Sequence, residues 1–224
     1  MSDSPNPIGT IAVIGGTGNE GSGLAFRWAN AGHDVIIGSR ALEKAEAAAA
    51  ELNGLLGRED VRGMTNADAA AAAQTVVLTV PYAAHRATIE MVRDGSQGKV
   101  FVDVTVPLKP PKVGVVQLPE GRTAAEEAQA LLGPDVRVVS AFQNISAAHL
   151  KDLGYVPESD VLVSGDDADA KEVAIALVQA AGMRGVDVGP LANAIVAEGL
   201  TSILITINRR YKLKDSGIRI TGLA

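Results

Sequence analysis

Residues 10–40 carry the feature that most limits the fold. A Val/Ile-rich run, Thr10 to Gly15, leads directly into Gly16-Thr17-Gly18-Asn19-Glu20-Gly21. A helical pattern follows, then a second apolar run that ends Gly38-Ser39-Arg40. A G-x-G-x-x-G alone is weak evidence. Between a strand and a helix inside a βαβ unit it has the context its mechanism requires. The glycines allow a tight turn and a close approach of backbone to a pyrophosphate, and the helix N-terminus supplies free N–H groups and a positive dipole end. Such a unit commits the chain to parallel strands joined by a crossover helix.

The rest of the chain keeps the same rhythm. Segments 10–15, 34–39, 75–80, 99–104, 136–142, 160–165 and 184–189 read as strands, with 60–65 a weaker one, because short Val/Ile-rich runs there are bounded by Gly, Pro or polar residues. Continuous rather than alternating hydrophobicity fits a parallel sheet covered on both faces. Helical patterns lie at 18–31, 42–56, 66–73, 83–93, 123–132, near 146–153 and at 169–181. Val196, Leu200, Ile203, Leu204, Ile207 and Tyr211 recur at helical spacing, so the β-branched C-terminal stretch is predicted to be a helix. The expected fold is α/β: a doubly wound, Rossmann-type parallel sheet with a small C-terminal helical elaboration. Residues 1–145 would form the dinucleotide-binding part. Residues 146–224 would complete the sheet, and the apolar 196–207 stripe suits packing either on this chain's own sheet or on that of a partner copy. The long 105–122 loop, with four prolines, is long enough to expect a functional role.

The 224 residues suffice for one well-buried α/β domain, and a net charge of −6 argues against a nucleic-acid partner. With no cysteine, disulfides, iron–sulfur clusters, thiolate metal sites and cysteine nucleophiles are excluded. No metal-ligand spacing is evident. Residues 1–7 lack the features of a secretory signal, and no apolar run reaches membrane-spanning length, so a soluble cytoplasmic protein is expected.

The second apolar run selects the cofactor. NAD-preferring folds place an Asp or Glu at its end to accept hydrogen bonds from a ribose 2′-hydroxyl. Here Ser39 and Arg40 stand instead, Lys44 lies one helical turn further on, and Thr17 is within reach of the same point. A guanidinium fork, an ammonium and two hydroxyls suit a 2′-phosphate, hence NADP(H). The cofactor set is thus Gly16, Thr17, Gly18, Asn19, Glu20, Gly21, Ser39, Arg40 and Lys44, with Val80 and Pro81 at the end of the 75–80 strand. Glu20, so close to a pyrophosphate, should point away from it.

No residue is evident as a proton donor. There is no Tyr-x-x-x-Lys pair. His33 falls in a turn at the wrong end of the sheet, and His85 and His149 read as surface residues rather than acid–base groups. Carbonyl reduction needs a proton donor beside the hydride. Exchange between nicotinamide and a flavin-like ring needs chiefly alignment.

The blocks GGTGNEGSGLAFRWANAGHDVIIGSR, LTVPY, VVSAFQNISAAHL, VSGDD and VGPLANA…EGLT, with Lys44, resemble as an ordered set the NADPH-dependent reductases of the deazaflavin coenzyme F420. The resemblance covers nearly the whole chain. It implies a small homodimer that moves a hydride reversibly between NADP(H) and F420, with residues 146–224 completing the acceptor site and the 196–207 stripe forming the dimer interface. It also implies an acceptor seated near Pro81, the Gln143–Ile145 turn and the start of the last helix. Tyr82, Gln143, Asn144, Ile145 and Thr201 are then candidate acceptor contacts. The family pattern often has histidine at 143, arginine at 195 and serine at 199, where this chain has Gln143, Ile195 and Gly199. A reductase of ordinary flavin, ferric iron or another small acceptor, and a non-catalytic NADP-binding sensor, are the alternatives.

Overall fold

The computed structural model describes residues 8–223, so the 1–7 leader lies outside the described residues. The elements are β1 (Ile11–Ile14), α1 (Asn19–Asn30), β2 (Val35–Ser39), α2 (Leu42–Leu56), β3 (Val61–Thr65), α3 (Asn66–Ala72), β4 (Thr75–Leu78), α4 (Tyr82–Val92), β5 (Val100–Asp103), α5 (Ala124–Leu132), β6 (Arg137–Ser140), β7 (Asp160–Gly165), α6 (Ala168–Ala180), β8 (Arg184–Asp187) and α7 (Ala194–Tyr211). Eight strands form one sheet in the order β3-β2-β1-β4-β5-β6-β7-β8. Only the β6–β7 pair is antiparallel. The order reverses between β1 and β4, so the two halves part there and leave a crevice beyond the strand ends.

Burial explains the apolar runs. Along β1, Ile11 and Val13 pack with Leu24 and Trp28 of α1 and Leu177 of α6, while Ala12 and Ile14 join Ile89 of α4 and Phe101 of β5 on the other face. Each large aliphatic side chain fully removed from water contributes about 1.5–3 kcal/mol. Trp28 satisfies its indole N–H on the Leu177 carbonyl at 2.8 Å and meets Phe142 edge-to-face at 5.9 Å.

The predicted helix near 146–153 is not formed; only a short 3-10 turn, Ala147–His149, is present. Its carbonyls are taken by another group. Arg27 of α1 is buried and donates to the carbonyls of His149, Leu150, Asp152, Tyr155 and Ala181 at 2.8–3.2 Å. A carbonyl turned toward a guanidinium does not close a helical ladder.

The expectation about membrane-spanning length is corrected. Leu191–Tyr211 is, among the described residues, long and apolar enough by length and composition to cross a membrane. Here α7 packs on the protein through buried Ala197, Glu198, Ser202 and Leu204. The 105–122 loop lies along it: Ser202 Oγ donates to the Val115 carbonyl at 3.3 Å and Thr206 Oγ1 to that of Gly114 at 3.1 Å.

Candidate functional site

A cleft of about 460 Å³ opens at the point where the strand order reverses. Gly15, Thr17, Gly18, Ser39, Arg40, Ala41, Lys44, Asn66, Thr79, Val80, Pro81, Ala84 and Thr88 line it. The Ser39–Lys44 group stands on one wall and the α4 residues on the other, with the glycine turn between them. Gly15 adopts φ +72, which an L side chain rarely tolerates. A Cβ on Gly21 would collide with Thr79 Oγ1 and the Gly16 Cα, so the third glycine sets how closely α1 approaches the sheet. A Cβ on Gly18 would meet nothing nearer than 3.9 Å; it would project into open space. No side chain caps α1 at Gly18, so the first N–H groups of that helix keep their donor capacity. The shape and donors of this cradle fit a dinucleotide pyrophosphate, and the Ser39, Arg40 and Lys44 groups fit a further phosphate.

Asn66 was not anticipated. Its Oδ1 accepts from the Gly15 N–H at 3.2 Å and holds the glycine turn against α3. Its position directly after a strand, at the start of a helix, was the available signal. Glu20 is only partly exposed and does not line the cleft. Burial pushes its carboxyl up to about 8, so at neutral pH it is mostly uncharged. The electrostatic penalty expected of an acid beside a pyrophosphate is therefore largely absent.

Beyond the ends of β4, β5 and β6 the candidate acceptor residues separate into two kinds. Thr201 Oγ1 donates to the Gln143 carbonyl at 2.7 Å, which brings α7 onto the 142–145 turn. Val80 and Pro81 lie at the near edge of the cleft, and Thr105 at the root of the long loop reaches the Val80 carbonyl at 3.5 Å. Asn144 requires a correction. It is buried, its amide donates to the Asp160 carbonyl at 2.7 Å, and its Oδ1 accepts from Leu162 N–H at 3.2 Å. With both ends spent on β7, it anchors the turn and does not offer its amide to an acceptor. Gln143 is also buried. Its Nε2 donates to the Asp103 carbonyl at 2.7 Å, while its Oε1 has no hydrogen-bond partner. What Gln143 has unengaged is therefore an acceptor oxygen. Ile145 is half-buried against the core. Tyr82 donates its hydroxyl to Glu127 at 2.9 Å, and burial, reinforced by that bond, raises the phenol above its ordinary range. The turn itself is strained: Phe142, fully buried, sits at φ +75.

His85 is the second correction. It is 1% exposed, not a surface residue. Its Nε2 lies 2.7 Å from Asp103 Oδ2 at the end of β5, and its Nδ1 has no partner. The other Asp103 oxygen accepts from the Thr105 N–H at 2.9 Å. The signal was present in α4: His85, Thr88, Ile89 and Val92 form one buried stripe at i, i+3, i+4 and i+7. Glu198 of α7 was also missed. Its carboxyl oxygens accept from the Ala124 and Ala125 N–H groups at 2.9 and 3.2 Å, closing the start of α5. Burial pushes it up to about 8, against the opposing pull of those two donors.

Fold and cleft together define an NADP-dependent oxidoreductase of the doubly wound α/β class. The family model described as "NADP oxidoreductase coenzyme F420-dependent" matches residues 10–107. An F420-dependent NADP reductase of Methanothermobacter thermautotrophicus is 45% identical over 220 residues, 95% of this chain and 95% of that one. A putative F420-dependent NADP-reductase from Arthrobacter sp. FB24 superposes with a TM-score of 0.79 at 29% identity, covering 94% of this chain and 98% of that one. The metalloreductase STEAP3 of Rattus norvegicus is 26% identical over 200 residues, covering 89% of this chain but 38% of its own length. The chain belongs to the family of F420-dependent NADP reductases.

Proposed function

We propose that this chain transfers a hydride reversibly between NADP(H) and coenzyme F420. The observation that carries the reading is the continuous cleft from Arg40 and Lys44, across an uncapped helix N-terminus, to Val80 and Pro81. Nicotinamide and deazaflavin supply the redox chemistry. The chain's own residues bind and align. Arg40, Lys44, Ser39 and Thr17 take the 2′-phosphate, and the Gly16–Gly21 turn takes the pyrophosphate. Pro81 and Tyr82 border the acceptor on one side, and Gln143, Ile145 and Thr201 on the other. No acid–base residue is assigned, since the ring exchange asks for alignment.

The division at 145/146 is kept: the first part holds NADP, and the second completes the acceptor site. We also propose a cytoplasmic homodimer. Val196 and Ile203, 60% and 50% exposed, lie near exposed Val115 and Val116, while Leu204 of the same stripe turns inward. Sedimentation at micromolar concentration checks the dimer, and a monomer there would refute it.

Following NADPH absorbance with F420, with FMN, with ferric chelate and with no acceptor tests the function. Turnover with F420 is expected. Turnover with FMN or ferric chelate instead would transfer the reading to a flavin or metal reductase, and binding of NADPH without any turnover to a sensor.

A further inference from the structure

We propose that the cations gathered at the C-terminal end of α7 bind the anionic tail of the acceptor. This rests on the deazaflavin reading, since coenzyme F420 carries a phosphodiester and glutamyl carboxylates on its ribityl chain. The protein is acidic, with 26 Asp and Glu against 20 Lys and Arg. Yet neither 199–214 nor 104–119 contains a single Asp or Glu. These two segments pack on each other in opposite directions. Val116 lies against Gly199, Val115 is bonded by Ser202, and Gly114 by Thr206. The loop then turns twice, Val115 N–H bonding the Lys112 carbonyl at 3.1 Å and Lys112 N–H the Lys109 carbonyl at 3.0 Å, so Lys109 and Lys112 stay within five residues of the Gly114–Thr206 contact, and Thr206 lies about one helical turn from Arg209 and Arg210. Past the left-handed cap at Lys212 the chain folds back, and Ser146 Oγ donates to the Lys214 carbonyl at 3.3 Å. Lys214 is thereby set beside the turn that ends at Ile145.

All six cations are exposed, and none takes part in an ion pair among the described residues. Elsewhere on the surface Arg62, Lys151 and Lys171 are each paired with a carboxylate. The nearest acid in sequence, Asp215, is engaged by the Tyr155 hydroxyl and lies 3.8 Å from His149. Arg209, Arg210 and the capping Lys212 complement the helix dipole, which leaves Lys109, Lys112 and Lys214 without that explanation. From Thr201 to Arg209 and Arg210 is about 12–14 Å along the helix, within reach of a ribityl-phosphodiester chain whose ring lies at the 142–145 turn. Phosphodiester and carboxylate oxygens are the natural partners of such a group. Because the cations are exposed, each pair is weak and screened by salt, so the effect is collective.

Steady-state kinetics with F420 and with its tail-less deazariboflavin parent, at low and high salt, test the proposal. The native chain is expected to show a KM for F420 about tenfold below that for the tail-less acceptor at low salt, the two converging as salt rises. Reversing three charges together (Lys112→Glu, Arg209→Glu, Arg210→Glu) should raise the F420 KM about tenfold and leave the tail-less KM and the NADPH KM unchanged. The glutamine triple at the same positions should show a smaller rise and guards against misfolding of the reversed variant. Equal KM values for both acceptors in the native chain would overturn the proposal, as would a parallel shift of both acceptors in the variants. Turnover of neither acceptor removes the deazaflavin reading and this inference with it. Cosedimentation with phosphatidylglycerol vesicles, lost in the triple variant while F420 KM stays constant, would reassign the patch to a membrane surface.

Discussion

The two walls of the site are built on different principles. The cofactor wall is made of backbone and of residues close in sequence: a glycine turn, an uncapped helix start and Ser39-Arg40-Lys44, all within residues 15–44. The acceptor wall is held by buried side chains that reach partners far away in sequence, several of them backbone groups. Asp103 joins His85 and Gln143, Gln143 joins Thr201, and Glu198 joins the start of α5. A wall built on backbone geometry tolerates side-chain loss one contact at a time. A wall built on buried polar pairs loses several contacts with one residue.

That difference can be broken most forcefully at Asp103. Asp103→Ala strands His85 Nε2 and the Thr105 N–H and is expected to cost about 1–3 kcal/mol of folding stability for each buried group left unsatisfied. Thermal and urea denaturation measure it. In the fraction that stays folded, acceptor KM should rise while NADPH affinity holds; a parallel loss of NADPH affinity would show that the walls are not independent.

The next largest effect belongs to the cofactor wall. Arg40→Ala should weaken NADPH by about ten- to a hundredfold, from one charge-assisted contact of about 1.5–3 kcal/mol. NADH should be nearly unaffected, and fluorescence titration with both nucleotides distinguishes the cases. Equal weakening would detach Arg40 from the 2′-phosphate.

On the acceptor wall, Gln143→Ala should reduce acceptor kcat/KM by about tenfold, equivalent to roughly 1.4 kcal/mol. Unchanged acceptor kinetics in both Gln143→Ala and Tyr82→Ala would move the acceptor elsewhere.

The smallest effect concerns Glu20. Its carboxyl is raised in the fold to about 8, so its contribution to stability is fully present below its unfolded value and is lost as pH rises through about 8. Melting the cofactor-free protein from about pH 5 to about pH 9 should show that decline, and Glu20→Gln should flatten it. Identical pH profiles for both would mean that the carboxyl ionises in the fold as it does in water.

The same contrast explains what could be read from residues alone. The cofactor wall was legible because strand, glycine spacing and the Ser39-Arg40 pair are local signals. The sheet was legible because its inner strands are buried on both faces and carry mainly apolar runs. The acceptor wall was only partly legible. Nothing local announces that Asp103 meets a helix eighteen residues upstream, or that both ends of the Asn144 amide are spent on β7. His85 was legible in principle, since its spacing to Ile89 and Val92 places it on the buried stripe. The 146–153 segment was misread because the competitor for its carbonyls, Arg27, is more than a hundred residues away.

Arg27 also bears on how the chain emerges from synthesis. The guanidinium sits on the helix whose first turn forms the cofactor cradle, yet every acceptor recorded for it lies between residues 149 and 181. A nascent chain that has produced only the fingerprint half would have to bury a bare cation to pack α1. The fingerprint half should therefore stay loosely docked, and open to proteases, until the ribosome has delivered residue 181. A fragment ending near residue 145 would then lack the partner its first helix requires, although it contains every residue assigned to NADP.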